Sequence, residues 1–166
     1  MSHLTWPPVV VSQGLQLHAD LVKLVESHTE IDLDRPLGQF LVIRSTGLIE
    51  TTRDNVAREY ARAMCNHRVH RRVTNTFVKG QGCERSQLRN FLATFDEDWA
   101  DEFDQFLEAD DEIRKTHLSL LVGQRKLIAH GAASQARKSQ ALQWSQTARE
   151  VSKWLVNCFD PQRNAL

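Results

Sequence analysis

An arginine and a histidine five residues apart, Arg125 and His130, are the side chains in this sequence best suited to phosphodiester chemistry. Histidine has an unperturbed pKa of about 6.5, so it can accept or donate a proton at neutral pH. Arginine binds phosphate oxygens through two parallel N–H donors and offsets the charge that develops in the transition state. Because RNA carries its own nucleophile, the 2′-hydroxyl, this pair could cleave RNA without a metal ion.

Apolar residues at helical spacing predict a helix over residues 110–129, which ends beside this pair. Three acids at 110–112 suit the positive end of a helix dipole, and Gly131 stands where a C-terminal cap glycine belongs. We predict one broad apolar face on this helix, formed by Ile113, Leu120, Leu121, Leu127 and Ile128. Arg125 falls within that arc, about 140° from His130 on an ideal helix. We expect the last turn to unwind before Gly131, which would direct both side chains into one cleft.

The same periodicity predicts six further helices, and no segment shows strand-like alternation of useful length. They cover residues 13–27, 37–64, 68–79, 84–93, 99–107 and 134–159. The pattern predicts an all-α fold, a bundle of four main helices with additional short helices. Within one compact domain, we assign residues 1–33 to a lead-in with an accessory helix and residues 34–166 to the main helical domain. A stop is predicted at residues 80–82, where two glycines flank a glutamine.

Two charged residues of the long helix at 37–64 are candidates for a site. Arg44 falls inside an apolar stripe formed by Leu37, Leu41, Leu48 and Val56. We therefore expect Arg44 to be a buried or cleft-facing cation, either paired within the bundle or serving as a second phosphate contact. Glu50 lies nearly opposite Leu41, so it is either a surface residue, a contact to a partner subunit or a support for the site.

The last helix carries a narrow apolar seam at a 3-4-3-4-3 spacing. Its members are Ala141, Trp144, Ala148, Val151, Leu155 and Cys158. The seam is either part of the core or, in a non-catalytic helical scaffold, a dimer face. The four tryptophans are expected in the core or in an interface, because nothing in the sequence arranges them as a platform for stacked bases.

Charge is balanced overall but segregated along the chain. The formal net charge is +0, from 21 basic and 21 acidic residues. Residues 68–89 hold six Lys or Arg and one acid, whereas residues 96–112 hold ten acids and no Lys or Arg. These segments are either two solvated helix faces of opposite sign or a basic wall for a polyanion. His67 and His70, which flank and interrupt the first arginines of this segment, are either part of a solvated basic turn or contacts to RNA.

Several other classes of protein find no support in the sequence. The three cysteines are far apart and no pair has metal-ligand spacing, so we expect neither a disulfide framework nor a metal site. The start of the chain lacks a charged segment followed by an apolar one, and no apolar run approaches the roughly 20 residues that span a bilayer. We expect a soluble, cytoplasmic protein without a cofactor.

The segment RKLIAHG at residues 125–131 resembles the R-x4-H signature that ends the third core helix of HEPN domains. The segment FLVIRSTGLIE at 40–50 is similar to the second-helix signature of the RiboL-PSP branch of that superfamily. The segment LRNFLATFD at 88–96, followed by a helix and then by residues 118–131, has the order of that branch as well. The resemblance extends over roughly residues 34–159.

This resemblance implies a HEPN-like four-helix bundle and a homodimer whose two R-x4-H motifs meet in one cleft at the interface. Active HEPN proteins are metal-independent endoribonucleases of toxin–antitoxin, restriction and antiphage systems. By the resemblance, Arg125 would position or stabilise the scissile phosphate, and His130 would transfer a proton or bind the phosphate. An RNA substrate, a 2′,3′-cyclic phosphate product and an antitoxin or defence-system partner are the corresponding expectations.

One position departs from the family pattern. Many HEPN motifs have Asn, Asp or His directly after the arginine, whereas this chain has Lys126. A lysine can still contact phosphate. Together with the neutral net charge, Lys126 motivates the alternative hypothesis, a HEPN-like module that binds RNA or a protein without cleaving.

Overall fold

A computed structural model describes residues 5–76 and 82–163, and these residues form seven α-helices, a short 3₁₀ helix and no strand. The all-α prediction is therefore confirmed for the described residues. The helices are α1 (Val9–Ser27), α2 (Asp34–Met64), α3 (His67–Thr76), α4 (Arg85–Ala93), α5 (Glu97–Glu108), α6 (Ile113–Ala129) and α7 (Lys138–Cys158), and the 3₁₀ helix is Ile31–Leu33. Of the predicted basic helix at 68–79, residues 77–79 lie outside the described residues, as do residues 80 and 81 of the predicted stop.

The long helix α2 is the centre of the bundle, because α1, α6 and α7 all pack against it. Its most extensive packing is with α7. All six residues of the apolar seam on α7 are buried within this one chain, so the seam is core and not a dimer face. Full burial of a Leu or Ile side chain contributes about 1.5–3 kcal/mol, so the α2–α7 contact is a main source of stability.

Helix α1 begins earlier than predicted and buries a different stripe. It starts at Val9, directly after Pro8, whose carbonyl accepts the first hydrogen bond of the helix from the Val11 amide at 2.9 Å. Residues 11, 18 and 25 form its buried side, and Leu17 and Leu24, two of the residues on which the prediction rested, are 64% and 57% exposed. Two neighbouring series at seven-residue spacing run along this helix, one through residues 11, 18 and 25 and one through Leu17 and Leu24. The sequence cannot show which of the two packs against α2.

Three acids between α5 and α6 form a turn instead of the first turn of a helix. Asp110, Asp111 and Glu112 all have left-handed backbone, with φ of 55°, 56° and 58°, and α6 begins only at Ile113. The predicted start at residue 110 was therefore wrong. Asp tolerates this region better than most residues, and Arg114 holds the turn through an ion pair of 2.7 Å with Asp110.

The end of α6 follows the prediction. Gly131 has φ of +68°, and the amides of Gly131 and Ala132 donate to the carbonyls of Ile128 and Leu127 at 3.1 and 2.9 Å. This pair of bonds is the Schellman arrangement, in which a left-handed residue satisfies the last carbonyls of a helix. It fixes the direction in which the chain leaves His130.

Candidate active site

Arg125 lies on the inward side of α6, in line with the buried residues Leu118, Leu121 and Val122. It is one turn from the end of the helix, however, and 42% of its side chain is exposed. The expected arginine within an apolar arc is therefore a half-exposed cation at the end of the bundle. Such a position lets the guanidinium reach solvent or a ligand without the cost of full desolvation.

The guanidinium of Arg125 faces Glu50 on α2, with 3.8 Å between Nη2 and Oε1. The structure thus brings together two of the residues that the sequence singled out. Glu50 is 25% exposed, so it is neither plain surface nor fully buried. At this distance and exposure the pair adds less than about 1 kcal/mol to stability, and Glu50 mainly biases the orientation of Arg125.

A thiol to which the sequence pattern assigned no role lies next to this ion pair. Cys83 is buried, and its desolvation, with a smaller contribution from the Glu50 carboxylate, raises its pKa to about 12. Arg125 opposes that rise only in part. Cys83 is thus a neutral packing residue beneath the pair and not a nucleophile at neutral pH.

Lys126 points to another side of α6 and pairs with Glu84 at the start of α4. Both residues border a cleft of about 490 Å³ between α4 and α6. Lys115 and Arg85 also border it, and both pair with the Glu108 carboxylate. The cleft therefore carries cations whose charge is already offset within the chain.

His130 is the C-cap of α6 and is exposed, and its ring has no hydrogen-bond or ion-pair partner among the described residues. Its amide still donates to the Lys126 carbonyl at 3.1 Å, so the helix remains regular up to this point. The unwinding expected for the last turn is confined to the cap, where His130 has φ of −93° and ψ of 9°. On an ideal helix the two residues are about 140° apart, and no hydrogen bond or ion pair joins their side chains among the described residues.

Arg44 does not join this group: it is exposed, so the expectation of a buried cation there was wrong, but it does line a small cavity elsewhere. Its side chain is exposed at the border of α1, beside a shallow cavity of about 270 Å³ that Leu17, His18 and Gly47 also line. The buried face of α2 is wide and centres on residues such as Val42 and Ile49, which leaves Arg44 at its edge.

The two oppositely charged segments neutralise each other only in part, through Arg85 and Arg89. Arg85 and Arg89 of α4 both bind Asp104 of α5, at 2.8 and 3.0 Å, and they also bind Glu108 and Asp101. The antiparallel hairpin of α4 and α5 places the two charge series side by side. Residues 68–89 therefore do not form one continuous basic surface. The arginines of this segment that have no carboxylate partner among the described residues lie on α3.

The apolar residues of α6 divide into two sides instead of one broad face. Leu118, Leu121 and Val122 are buried, whereas Ile113, Leu120 and Leu127 are 51%, 44% and 38% exposed. The exposed three recur every seven residues and so follow one line along the helix. We call them the α6 stripe. It ends next to His130.

Metal-ligating side chains do not cluster in the described part of the chain. No group of three or more His, Cys, Asp or Glu side chains in residues 5–76 and 82–163 is arranged to hold a metal ion. None of the helices described above is both long enough and apolar enough to cross a membrane.

Comparisons of this chain with models of protein families, with curated proteins and with solved structures found no match.

Proposed function

We propose that this protein is a metal-independent endoribonuclease of the HEPN type. One observation carries the proposal: a half-exposed arginine, oriented by Glu50, lies one turn from an exposed and unpaired histidine at a capped helix end. Arginine to bind the phosphate and histidine to move a proton are the groups that RNA cleavage needs.

In the proposed reaction, the 2′-hydroxyl of a nucleotide attacks the adjacent phosphorus. The bond from phosphorus to the 5′-oxygen of the next nucleotide breaks, which leaves a 2′,3′-cyclic phosphate and a 5′-hydroxyl. The 2′-hydroxyl loses a proton and the 5′-oxygen gains one; His130 carries one of these two transfers and water the other, while Arg125 offsets the charge on the phosphoryl oxygens. Lys126 would release Glu84 and contact a neighbouring phosphate of the RNA. Arg44 would contact the RNA only if the strand extends towards α1.

A second copy of the chain is part of the proposal, because no hydrogen bond or ion pair joins Arg125 to His130 among the described residues of one copy. The α6 stripe supports a homodimer, since it presents apolar side chains on the surface that leads to His130. Packing against this stripe would bring residues of a second chain next to the motif. We further propose a role as a toxin or antiphage effector in the cytoplasm, with an antitoxin or defence-system protein as partner.

The test is cleavage of a structured RNA in EDTA by the wild type, Arg125→Ala and His130→Ala. We expect each variant to lose at least about 100-fold in rate, in line with the loss of a general acid–base or an oxyanion-stabilising group. The products of the wild type should end in a 2′,3′-cyclic phosphate.

Matched controls are Arg163→Ala, an exposed arginine paired with Glu102, and His28→Ala, a partly exposed histidine at the end of α1. Both should cleave like the wild type. Equal activity in all five proteins, or no activity in wild type freed of any partner, would refute the nuclease.

A specific observation favours the alternative, a module that binds RNA or protein without cleaving. Arg125 and Lys126 are both already paired with carboxylates, Glu50 and Glu84. In that case no cyclic phosphate forms, and His130→Ala leaves the affinity for RNA unchanged.

A further inference from the structure

A cavity of about 560 Å³ lies at the far end of the bundle from Gly131, between the end of α2, helix α3 and the turn from α4 to α5. Three aromatic rings, those of Tyr60, Phe95 and Trp99, line it, together with the apolar side chains of Met64, Val69 and Val73. The rings contact one another, with Tyr60 edge-on to Trp99 at 5.5 Å and Phe95 stacked on Trp99 at 6.4 Å between centroids. None of the three is fully buried, so each presents part of its surface to the cavity.

The wall that α3 contributes is basic on its outer side. Arg68 and Arg72 are exposed and lie one turn apart, flanking Val69 and Val73, and Arg71 is exposed nearby. Within the described ranges no ion pair joins any of these three arginines to a carboxylate. This distinguishes them from Arg85 and Arg89, whose charge is neutralised by α5.

Polar groups reach the cavity from the opposite wall. Burial, together with Cys65, Cys158 and Asp96, raises the pKa of Tyr60, so its hydroxyl remains a proton donor at neutral pH. Asp96 also lines the cavity, and it caps α5 by accepting from the Asp98 amide at 2.9 Å. An aspartate would repel a phosphate but can accept a hydrogen bond from the amino group of a base.

We propose that this cavity binds an unpaired nucleobase of RNA, with the flanking phosphates on Arg68 and Arg72. Aromatic side chains beside a basic track are what single-stranded nucleic acid needs, since bases stack on the rings and phosphates pair with the cations. Asp96 favours a base with an exocyclic amine, such as cytosine, over uracil.

This inference rests on the proposed function, because the cavity would anchor the same RNA substrate at a second point, some distance from the cleavage motif. Tyr60 follows Glu50 by ten residues on α2, which corresponds to about 15 Å along the helix axis. A stacked strand covers that length in roughly four nucleotides. Helix α4 runs the same way, from Glu84 beside Lys126 to the turn that carries Phe95.

The experiment measures binding by fluorescence anisotropy in the His130→Ala background, so that RNA cleavage does not confuse the result. The probes are labelled oligocytidine, oligouridine and an abasic oligoribonucleotide of the same length. The variants are Arg68→Gln/Arg72→Gln and Val69→Glu, which puts a carboxylate at the mouth of the cavity on a 43% exposed position. Controls of the same types are Arg163→Gln and Val9→Glu, both at exposed positions elsewhere.

We expect each α3 variant to raise the Kd for oligocytidine at least about tenfold, and the arginine variant to lower the salt slope by about one. The His130→Ala protein should bind the abasic probe about tenfold more weakly than oligocytidine. When it also carries Val69→Glu, it should bind the two probes about equally. Oligouridine should bind more weakly than oligocytidine.

Wild-type affinity in both α3 variants, or equal binding of abasic and cytidine probes, would overturn the site and leave the cavity to a protein partner. Equal binding of the uridine and cytidine probes would overturn the role of Asp96. If wild-type protein never cleaves RNA but the α3 variants still lose binding, the nuclease fails while this site stands. If wild-type protein cleaves RNA and neither α3 variant changes binding, this site fails while the nuclease stands.

Discussion

Arg53 is a charged side chain in the middle of α2 that the fold buries almost completely, with 1% exposed. It donates to the Gly82 carbonyl at 2.7 Å, pairs with Asp54 at 2.6 Å and lies 5.6 Å from the centre of the Phe91 ring. These contacts tie α2 to the start of α4, directly beneath the segment that carries Cys83 and Glu84. A buried guanidinium persists only where its donors are satisfied in this way.

We therefore expect Arg53→Met to lower the free energy of unfolding by about 2–3 kcal/mol, because it leaves a partly buried carbonyl and a partly buried carboxylate without their partner. Arg62→Met is the matched control on the same helix, since its pair with Glu59 is exposed and contributes less than about 0.5 kcal/mol. Chemical denaturation of both variants measures the difference. Equal losses would show that Arg53 contributes no more than a surface arginine.

His18 is a second buried polar residue, and it makes stability depend on pH. Burial, then the charges of Arg149 and Arg44, lower its pKa from 6.5 to about 4, and its Nε2 lies 2.9 Å from the Ser45 hydroxyl. A depressed folded-state pKa means that the unfolded chain binds the proton more tightly. The contribution of His18 is therefore complete above pH 6.5 and is lost as the pH falls through about 4.

The expected loss from His18 over that window is at most about 3 kcal/mol. Urea denaturation at a series of pH values from neutral down to the folded pKa measures it. The His18→Leu variant should have a flatter profile than the wild type, whereas His28→Leu, at the partly exposed C-cap of the same helix, should follow the wild type. Identical pH profiles of the wild type and His18→Leu would show that His18 does not contribute to the pH dependence of stability. Carboxylates contribute equally to both profiles and so do not affect this comparison.

At the scale of the element, α6 decides the geometry of the candidate site. Its regular backbone carries Arg125 on the inward side, and its cap at His130 and Gly131 sets where the helix ends. The left-handed turn at 110–112 fixes where the helix begins. A helix bounded so tightly at both ends holds its side chains in a fixed register against α2.

Substitution of alanine for Gly123, inside α6, and for Gly131, at its cap, should change the free energy of unfolding in opposite directions. Gly131→Ala should cost about 1 kcal/mol, because φ of +68° strains any residue with a Cβ. Gly123→Ala should add about 0.5–1 kcal/mol, since Gly123 is inside the helix and nothing lies within 4 Å of the added Cβ. Thermal unfolding of the two variants distinguishes these signs, and a stabilising Gly131→Ala would contradict the capping geometry.

At the scale of the whole molecule, two surface features of the described residues bear on the proposed function: the α6 stripe and the arginines of α3. They lie on different parts of the bundle. The stripe suits a second copy of the chain, and the arginines suit a polyanion. The net charge near zero conceals this, because the two arginines of α4 pair with acids of α5, whereas no ion pair joins the arginines of α3 to a carboxylate among the described residues.

The homodimer predicts a mass twice the 19.0 kDa of one chain in sedimentation experiments. The double variant Leu120→Glu/Leu127→Glu should sediment as a monomer and lose cleavage, because a desolvated carboxylate in an apolar interface is costly. Ile31→Glu is the control, at an apolar position that is 89% exposed on the 3₁₀ helix. A monomeric wild type, or a double variant that remains dimeric, would remove the α6 stripe from the proposal.

The sequence by itself determined the helices and their number, because the period of apolar residues and the positions of Pro and Gly are local signals. The residues predicted on α7 are buried, and the cap at Gly131 is where the pattern placed it. Boundaries were less well determined where an end depends on backbone that no pattern encodes, as at residues 110–112. The family resemblance and the roles of Arg125 and His130 remain predictions.

Only the tertiary structure decided which side of each helix is covered. It exposed Arg44 and Leu120, buried Arg53 and His18, and joined Arg125 to Glu50. A helical repeat shows that residues share a side, but the crossing of neighbouring helices selects the side that is buried. For the same reason the pairing of α4 with α5, and the aromatic cavity beneath α3, could not be predicted from charge or composition alone.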